Sequence, residues 1–308
     1  MSRRVAVLMG GTSPERDVSL VSGAAVADAL RDRGYAVDAI DVTGDVRALI
    51  DALDPAPDVV FNALHGRHGE DGCVQGLLEL LGIPYTHSGV AASAVAMDKP
   101  LAKRLFAEAG IPCPDGKVMD RDAVLAGDGL PPPPYVIKPL NQGSSVGVRV
   151  VLDGEAGAPF GNEPWPFGDR VLVETYIPGR EIHVAIMGDR ALGAVEIRPK
   201  GRFYDYAAKY EEGQAEHLMP APLPKAAYDE ALRLGLNAHR AAECRGVTRA
   251  DLRYDDTGSG ETGQFALLEI NTQPGMTPLS LVPEIAAHAG IPFADLVTWM
   301  VENAACDR

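Results

Sequence analysis

Over its first eighty residues this chain alternates short apolar, β-branched runs with segments of helical period, and few folds satisfy that alternation. Residues 5–9 read as a buried strand, 18–33 as a helix with Val18, Val21, Ala25 and Leu30 near one face, and 36–41 as a second strand. A short helix over 46–53, a third strand over 59–63 and a helix over 74–81 closed by Gly82 continue the pattern. Strands that alternate with helices through short connections run parallel, with the helices as crossovers. The expected N-terminal unit is therefore a parallel α/β sheet.

A further helix over 100–109 stops at Gly110, and then the texture changes. Residues 127–134 contain four consecutive prolines and exclude regular structure. Short β-like segments follow at 135–138, 146–152, 170–176, 181–187 and 191–197, with a Gly- and Pro-rich loop over 153–168. A long helix spans 225–244. Strands over 247–254 and 264–270 flank a turn at 255–263, and helices over 281–289 and 292–305 end the chain. The class is α/β followed by α+β, with a change of character near residues 98–130.

Composition narrows the function. Four cysteines lie far apart without a C-x-x-C pair, so neither structural zinc nor a disulfide framework is expected. The formal net charge of −15 repels nucleic acid. There is no basic amphipathic helix, and no apolar run of about 18 residues, so no membrane is expected. The five apolar residues of 5–9, ended by Gly10-Gly11, are too few for a signal-peptide core, which points to the cytoplasm. An acidic chain that binds a polyanion needs locally concentrated cations or metal ions.

Six clusters could carry chemistry. Gly10-Gly11-Thr12-Ser13-Pro14-Glu15-Arg16 joins a strand to a helix, where free N–H groups could hold a carboxylate or phosphate. The same residues also make a plain capping box, Thr12 with Glu15. His65-Gly66-Arg67-His68-Gly69-Glu70-Asp71-Gly72 follows the third strand, at the sheet end where ligands bind, or is a solvated loop. Lys138 ends a strand before Gly143-Ser144-Ser145-Val146-Gly147. That pentapeptide matches the G-x-S-x-G nucleophile elbow of serine hydrolases, but an elbow needs a helix after it, and 146–152 reads as a strand. A loop over a phosphate fits better. Glu174 and Glu181 bracket a segment that could pair with a flat base or simply turn a hairpin. Asp251, Glu269 and Asn271 fall on two strands that, if paired, bring oxygen ligands together for Mg²⁺; solvated strand-end acids are the alternative. Beyond Asn271, the N–H of Gly275 could stabilise an oxyanion. Residues 198–219, with Phe203, Tyr204, Asp205, Tyr206, Lys209 and Tyr210, fit no hydrophobic period and read as a lid.

Five blocks in this order, the segment 10–16, Ala63-Leu64-His65-Gly66, Lys138-Pro139 with Gly143-Ser144-Ser145-Val146-Gly147, Phe203-Tyr204-Asp205-Tyr206 with Lys209-Tyr210, and Leu268-Glu269-Ile270-Asn271-Thr272 with Pro274-Gly275-Met276-Thr277, resemble the ATP-grasp superfamily and, over nearly the whole length, the D-alanine–D-alanine ligases. The resemblance implies a three-domain ATP-grasp fold. An N-terminal α/β domain would span 1–98, a central ATP-binding subdomain 99–178, and a C-terminal subdomain 179–308 with the loop 198–219. It implies that ATP phosphorylates one D-alanine and that the amine of a second attacks the acylphosphate, giving D-alanyl-D-alanine for peptidoglycan precursors. It assigns Lys99 and Lys138 to ATP phosphates, Glu174 with the backbone of Thr175, Tyr176 and Ile177 to adenine, and Glu181 to the ribose. Asp251, Glu269 and Asn271 would hold two Mg²⁺ ions, with Mn²⁺ able to substitute. Arg249 and Gly275 N–H would steady the tetrahedral intermediate. Glu15, Ser144 and Tyr210 would orient the first D-alanine, with His65 close by, and Lys209, Ser280 and Leu281 N–H would meet the second. A homodimer through the N-terminal domain is also implied. The chain departs from the pattern at 153–168, a loop where relatives look helical, at Gln142, and at His183, where Thr is expected.

Three other functions stay open at this point. One is a non-catalytic nucleotide-binding module, against which the intact Asp251, Glu269 and Asn271 set argues. A depsipeptide ligase would join D-alanine to D-lactate, although Tyr210 is associated with amine use. A serine hydrolase would use Ser145.

Overall fold

The computed structural model describes residues 2–143, 147–154, 165, 167–201, 213–258 and 263–307. Strands β1 (Arg4–Gly10), β2 (Ala36–Val42) and β3 (Val59–Asn62) form a parallel sheet in the order β2-β1-β3. Alternate residues of β1 serve two cores. Val5 and Val7 face helix α1 (Arg16–Asp32) through Val26, Ala27 and Leu30. Ala6 and Leu8 face α2 (Val46–Ala52) and α3 (Cys73–Leu81) through Leu49, Val74 and Leu78. Both connections run as the alternation requires, and α3 closes at left-handed Gly82.

Next come α4 (Val90–Met97) and α5 (Lys99–Glu108). Four strands, β4 (Gly116–Asp120), β5 (Tyr135–Pro139), β6 (Arg149–Val151) and β7 (Arg170–Thr175), form a second sheet in the order β4-β7-β5-β6, all antiparallel. Helix α6 (Arg121–Ala126) follows β4 and buries Val124 in that sheet's core. The third sheet runs β10-β9-β8-β11-β12, from β8 (Arg180–Met187), β9 (Arg190–Pro199), β10 (Ala215–Leu218), β11 (Val247–Asp255) and β12 (Gln264–Asn271). Helix α7 (Lys225–Ala241) covers one face of it through Leu234 and Ala238. Phe106 of α5 joins the same core.

Helices α8 (Leu281–His288) and α9 (Phe293–Glu302) tie the first sheet to the third. Their Val282, Ile285, Leu296 and Met300 share one buried cluster with Val5, Phe61, Ala185 and Val195. This packing brings the C-terminal end of the parallel sheet toward β11 and β12.

Four elements escaped the sequence pattern. One is β10 (Ala215–Leu218), which lies inside the stretch 198–219 read as an unstructured lid; β9 also runs on to Pro199, so both ends of that stretch are paired strand rather than loop. Helix α4, VAASAVAM, has little polar contrast around its circumference, so no amphipathic stripe marks it. Strand β4 buries only Met119, so its alternation is blank. Helix α6 has only six residues. The strand expected over 146–152 is confined to Arg149–Val151, and 146 lies outside the described residues. Among the described residues, no helix is long and apolar enough to cross a membrane.

Candidate active site

Two adjoining cavities lie where the three sheets meet. The larger, about 450 Å³, is lined by Lys99, Lys138, Glu174, Thr175, Tyr176, Ile177, Glu181, Asp251 and Glu269, among others. The smaller, about 70 Å³, is lined by Glu15, His65, Glu70, Lys99, Gly143, Arg249, Glu269, Asn271 and Gly275, among others. Lys99 and Glu269 line both.

The larger cavity owes its charge pattern to sheet register. Val136 on β5 pairs with Glu174 on β7, so Lys138, two residues on, shares a face with Glu174. The two form an ion pair, with Glu174 only 2% exposed. Gly116 of β4 lies opposite Glu174, and a Cβ there would stand 2.7 Å from Glu174 Cγ, so only glycine leaves room for this carboxylate. Lys99 opens α5 directly after Asp98, whose side chain caps the helix by accepting from Leu101 N–H at 2.9 Å. Lys99 Nζ donates to Gln142 O at 2.7 Å and lies 3.3 Å from Glu269 Oε2.

The segment from Thr175 to Glu181 is held by a residue the sequence reading passed over. Arg253 of β11 donates to Ile177 O at 3.1 Å and to Gly179 O at 2.8 Å, and stands 3.5 Å from Glu181. Its register opposite Glu181 follows from the β8/β11 pairing. The only sequence signal was its position two residues beyond Asp251, on the same face.

Strands β11 and β12 pair antiparallel, with Asp251 opposite Glu269 and Arg249 opposite Asn271. Arg249 grips Asp251 through two bonds of 2.6 and 2.7 Å, and His183 Nδ1 lies 2.8 Å from Asp251 Oδ1. Burial alone would push the Asp251 carboxyl up; Arg249 and His183 more than offset it and hold the group well below its ordinary range. His183 also reaches Glu181 Oε1 at 3.2 Å. Burial lowers its pKa, but the two flanking carboxylates prevail and raise it. Among the described residues, no three His, Cys, Asp or Glu side chains form a closed metal cage. Two carboxylates and one amide are a hard, open donor set, which suits Mg²⁺ completed by phosphate oxygens.

In the smaller cavity the capping box expected at Thr12 is not formed. Helix α1 begins at Arg16 with Glu15 as N-cap, and Glu15 N–H donates to Ser13 Oγ at 3.2 Å. Ser13 in turn donates to His65 O at 2.7 Å. This leaves the Glu15 carboxylate to line the cavity. Glu70 lies beside it: a Cβ on Gly143 would stand 3.3 Å from Glu70 and 3.6 Å from Glu15. Burial, then the Glu15 charge, pushes the Glu70 carboxyl up to about 8. Burial lowers His65 to about 4, so it is neutral at pH 7, and its Nε2 has no hydrogen-bond partner among the described residues. Gln273, 1% exposed, donates to Leu64 O and accepts from Asn62 Nδ2 at 2.8 Å, fixing the 271–275 loop to the end of β3. Ser280 accepts from Thr277 N–H at 3.0 Å and would stand 2.8 Å from a Cβ on Gly275; Leu281 N–H is the first of α8.

Ser144, Ser145, Lys209 and Tyr210, with most of the lid, lie outside the described residues. The hydrolase context does not hold, since β6 follows the Gly-Ser loop and pairs antiparallel with β5 where an elbow needs a helix.

Comparison with known proteins agrees with this architecture. Residues 106–302 match the family model described as D-ala D-ala ligase C-terminus, and 47–88 the one described as D-ala D-ala ligase N-terminus. D-alanine–D-alanine ligases of Paramagnetospirillum magneticum and Rhodospirillum rubrum are 59% and 56% identical, each over 100% of both chains. A solved D-alanine–D-alanine ligase of Bacillus anthracis, complexed with ATP, superposes with a TM-score of 0.80 at 31% identity, covering 98% of this chain and 96% of that one. With its paired cavities and three sheets, the chain belongs to the D-alanine–D-alanine ligase family and has the ATP-grasp fold.

Proposed function

We propose that this chain joins two molecules of D-alanine at the expense of ATP, by way of a D-alanyl phosphate, in peptidoglycan precursor synthesis. The observation that carries the reading is that Lys99 and Glu269 line both cavities. A nucleotide in the larger and an amino acid in the smaller would meet across them. A carboxylate is a poor electrophile; transfer of the γ-phosphoryl group to it creates a leaving group that the second amine displaces, releasing phosphate. The full-length relatives named for this activity support the same reading.

On this reading Glu174 and the Thr175–Ile177 backbone receive adenine, Glu181 takes the ribose, and Lys99 and Lys138 meet phosphates. Asp251, Glu269 and Asn271 would hold two Mg²⁺ ions, or Mn²⁺ in their place, which offset charge on the transferring phosphoryl group. Arg249 and Gly275 N–H face the forming oxyanion. Glu15, with Ser144 and Tyr210, orients the first D-alanine through its ammonium, and neutral His65 stands beside it. Lys209, Ser280 and Leu281 N–H receive the carboxylate of the second. The segment that joins β9 to β10, within 198–219, closes over the site and keeps water from the acylphosphate. The domains divide at 1–98, 99–178 and 179–308.

A homodimer through the N-terminal domain belongs to the same reading. Val46 and Ile50 of α2 and Leu80 and Leu81 of α3 are exposed, on the two helices that cover one face of the parallel sheet. A cytoplasmic location, where ATP is at hand, belongs to the same reading. Phosphate release across a panel of D- and L-amino acids tests the reading. D-Alanine should give the strongest Mg²⁺-dependent signal, and no signal with D-alanine would overturn it. Incubation with D-lactate as second substrate should leave the peptide the main product; a predominant ester would make the chain a depsipeptide ligase.

A further inference from the structure

Glu174 carries two counter-ions, and only one of them has a role so far. Its Oε2 pairs with Lys138 of β5 and its Oε1 with Lys103 of α5. Lys103 lies one turn after Lys99, so both lysines leave the same face of α5. Lys103 Nζ also donates to Pro114 O at 2.5 Å, which fixes it independently of Glu174. The carboxylate and both ammonium groups are largely shielded from water.

We propose that Lys103 is a positioning residue for nucleotide binding: it is the standing counter-ion of Glu174, and its presence frees Lys138 to turn to phosphate. A buried carboxylate that loses its partner is strongly destabilised. If Lys138 were alone on Glu174, moving to a phosphate would strand that charge beside the adenine pocket. With Lys103 held on Oε1 and on a backbone carbonyl, the carboxylate keeps a counter-ion and its orientation when Lys138 leaves Oε2. Oε2 is then available to accept from an exocyclic amine of the base. The lysine therefore acts on both ends of the nucleotide through one carboxylate, without touching either.

This inference rests on the proposed roles of Glu174 and Lys138, and the test separates the two. The full-length enzyme is compared with Lys103→Met, Lys103→Gln, Lys103→Arg, Glu174→Gln and Lys103→Met/Glu174→Gln. The readouts are ADP affinity by calorimetry, KM for ATP and for D-alanine, and thermal midpoint. Lys103→Met and Lys103→Gln should raise the ADP Kd and the KM for ATP tenfold or more, with the KM for D-alanine within twofold. Lys103→Arg should return both to within threefold of wild type. In the Glu174→Gln background, removing Lys103 should add less than twofold, because its action passes through that carboxylate. An ADP Kd within twofold of wild type in a folded Lys103→Met or Lys103→Gln, or an undiminished loss in the double variant, would overturn the proposal. If Glu174→Gln itself leaves ADP binding unchanged, the nucleotide reading of Glu174 fails, and the inference with it.

Discussion

Replacing Arg249 with methionine tests whether Asp251 is a buried charge held in readiness. Asp251 is 4% exposed, and its carboxylate receives two bonds from Arg249, at 2.6 and 2.7 Å, and one contact from His183 at 2.8 Å. Methionine keeps most of the volume and removes two of those three contacts. Hydrogen bonds to charged groups contribute about 1.5–3 kcal/mol each, and stripping a partner from a buried charge costs about 3–5 kcal/mol. His183 remains, so a loss near the lower end, about 3 kcal/mol, is expected. At about 2–4 °C per kcal/mol, the midpoint should fall by roughly 6–12 °C. Thermal unfolding followed by circular dichroism reads it directly. Adding Asp251→Asn should recover more than half of the loss, because the stranded charge is gone. Mg²⁺ with ADP should raise the midpoint more in Arg249→Met than in wild type, since a cation then replaces the missing guanidinium. A loss under about 1 kcal/mol, or a double variant no more stable than the single, would refute the argument.

Three further outcomes follow from the same geometry. Glu70 prefers its protonated form in the fold, rising from 4.5 to about 8, so its contribution to stability is full below pH 4.5 and is lost as pH rises through 8. Glu70→Gln should therefore be close to neutral at pH 4.5 and stabilising by about 2–4 kcal/mol at pH 8.5, measured by urea unfolding at both values. Gly275→Ala would put a methyl 2.8 Å from Ser280 Oγ and displace it; the KM for the second D-alanine should rise about tenfold or more while the KM for ATP holds within twofold, by initial-rate kinetics. Gln273→Ala removes both bonds that tie the 271–275 loop to Asn62 and Leu64, and should lower kcat more than tenfold with about 2 kcal/mol lost from unfolding free energy.

How much of this was legible in the sequence varied with the physics behind each element. The parallel sheet was plain because β1 and β3 are apolar on both faces and α1 repeats at 3.6 residues. Strand β4 was not, because its burial comes from β7 and α6, which no local pattern records. In the site, Asp251 and Glu269 were readable because two strands with one turn imply a pairing, and the pairing opposes them. Glu15 was readable as a residue but not as a geometry: it is the N-cap of α1, yet its side chain caps nothing and its carboxylate lines the smaller cavity instead. Arg253, Lys103 and Gln273 act through bonds to residues 71 or more positions away, to Ile177, Glu174 and Leu64 among others. Only the fold supplies those distances.

The charge arrangement then explains how so acidic a chain can receive a polyanion. The larger cavity is lined by Lys99, Lys138, Arg180, Arg198 and Arg253, and each already has a carboxylate within reach: Glu269, Glu174, Glu196, Glu196 again and Glu181. A phosphate that takes one of these cations must compete with a partner of its own kind. Such an exchange gains little unless the displaced acid finds another cation. On the proposed assignment, Glu269 would be freed if Lys99 turned to phosphate, and it stands opposite Asp251, where a divalent ion would sit. Glu174 would be freed in the same way by Lys138, and Lys103 is already on it. Nucleotide binding to this site should therefore be coupled to the metal rather than to the lysines alone. Titrating ADP calorimetrically with and without Mg²⁺ should show at least a tenfold difference in Kd. Equal affinities would mean that the paired cations suffice and that the exchange described here does not occur.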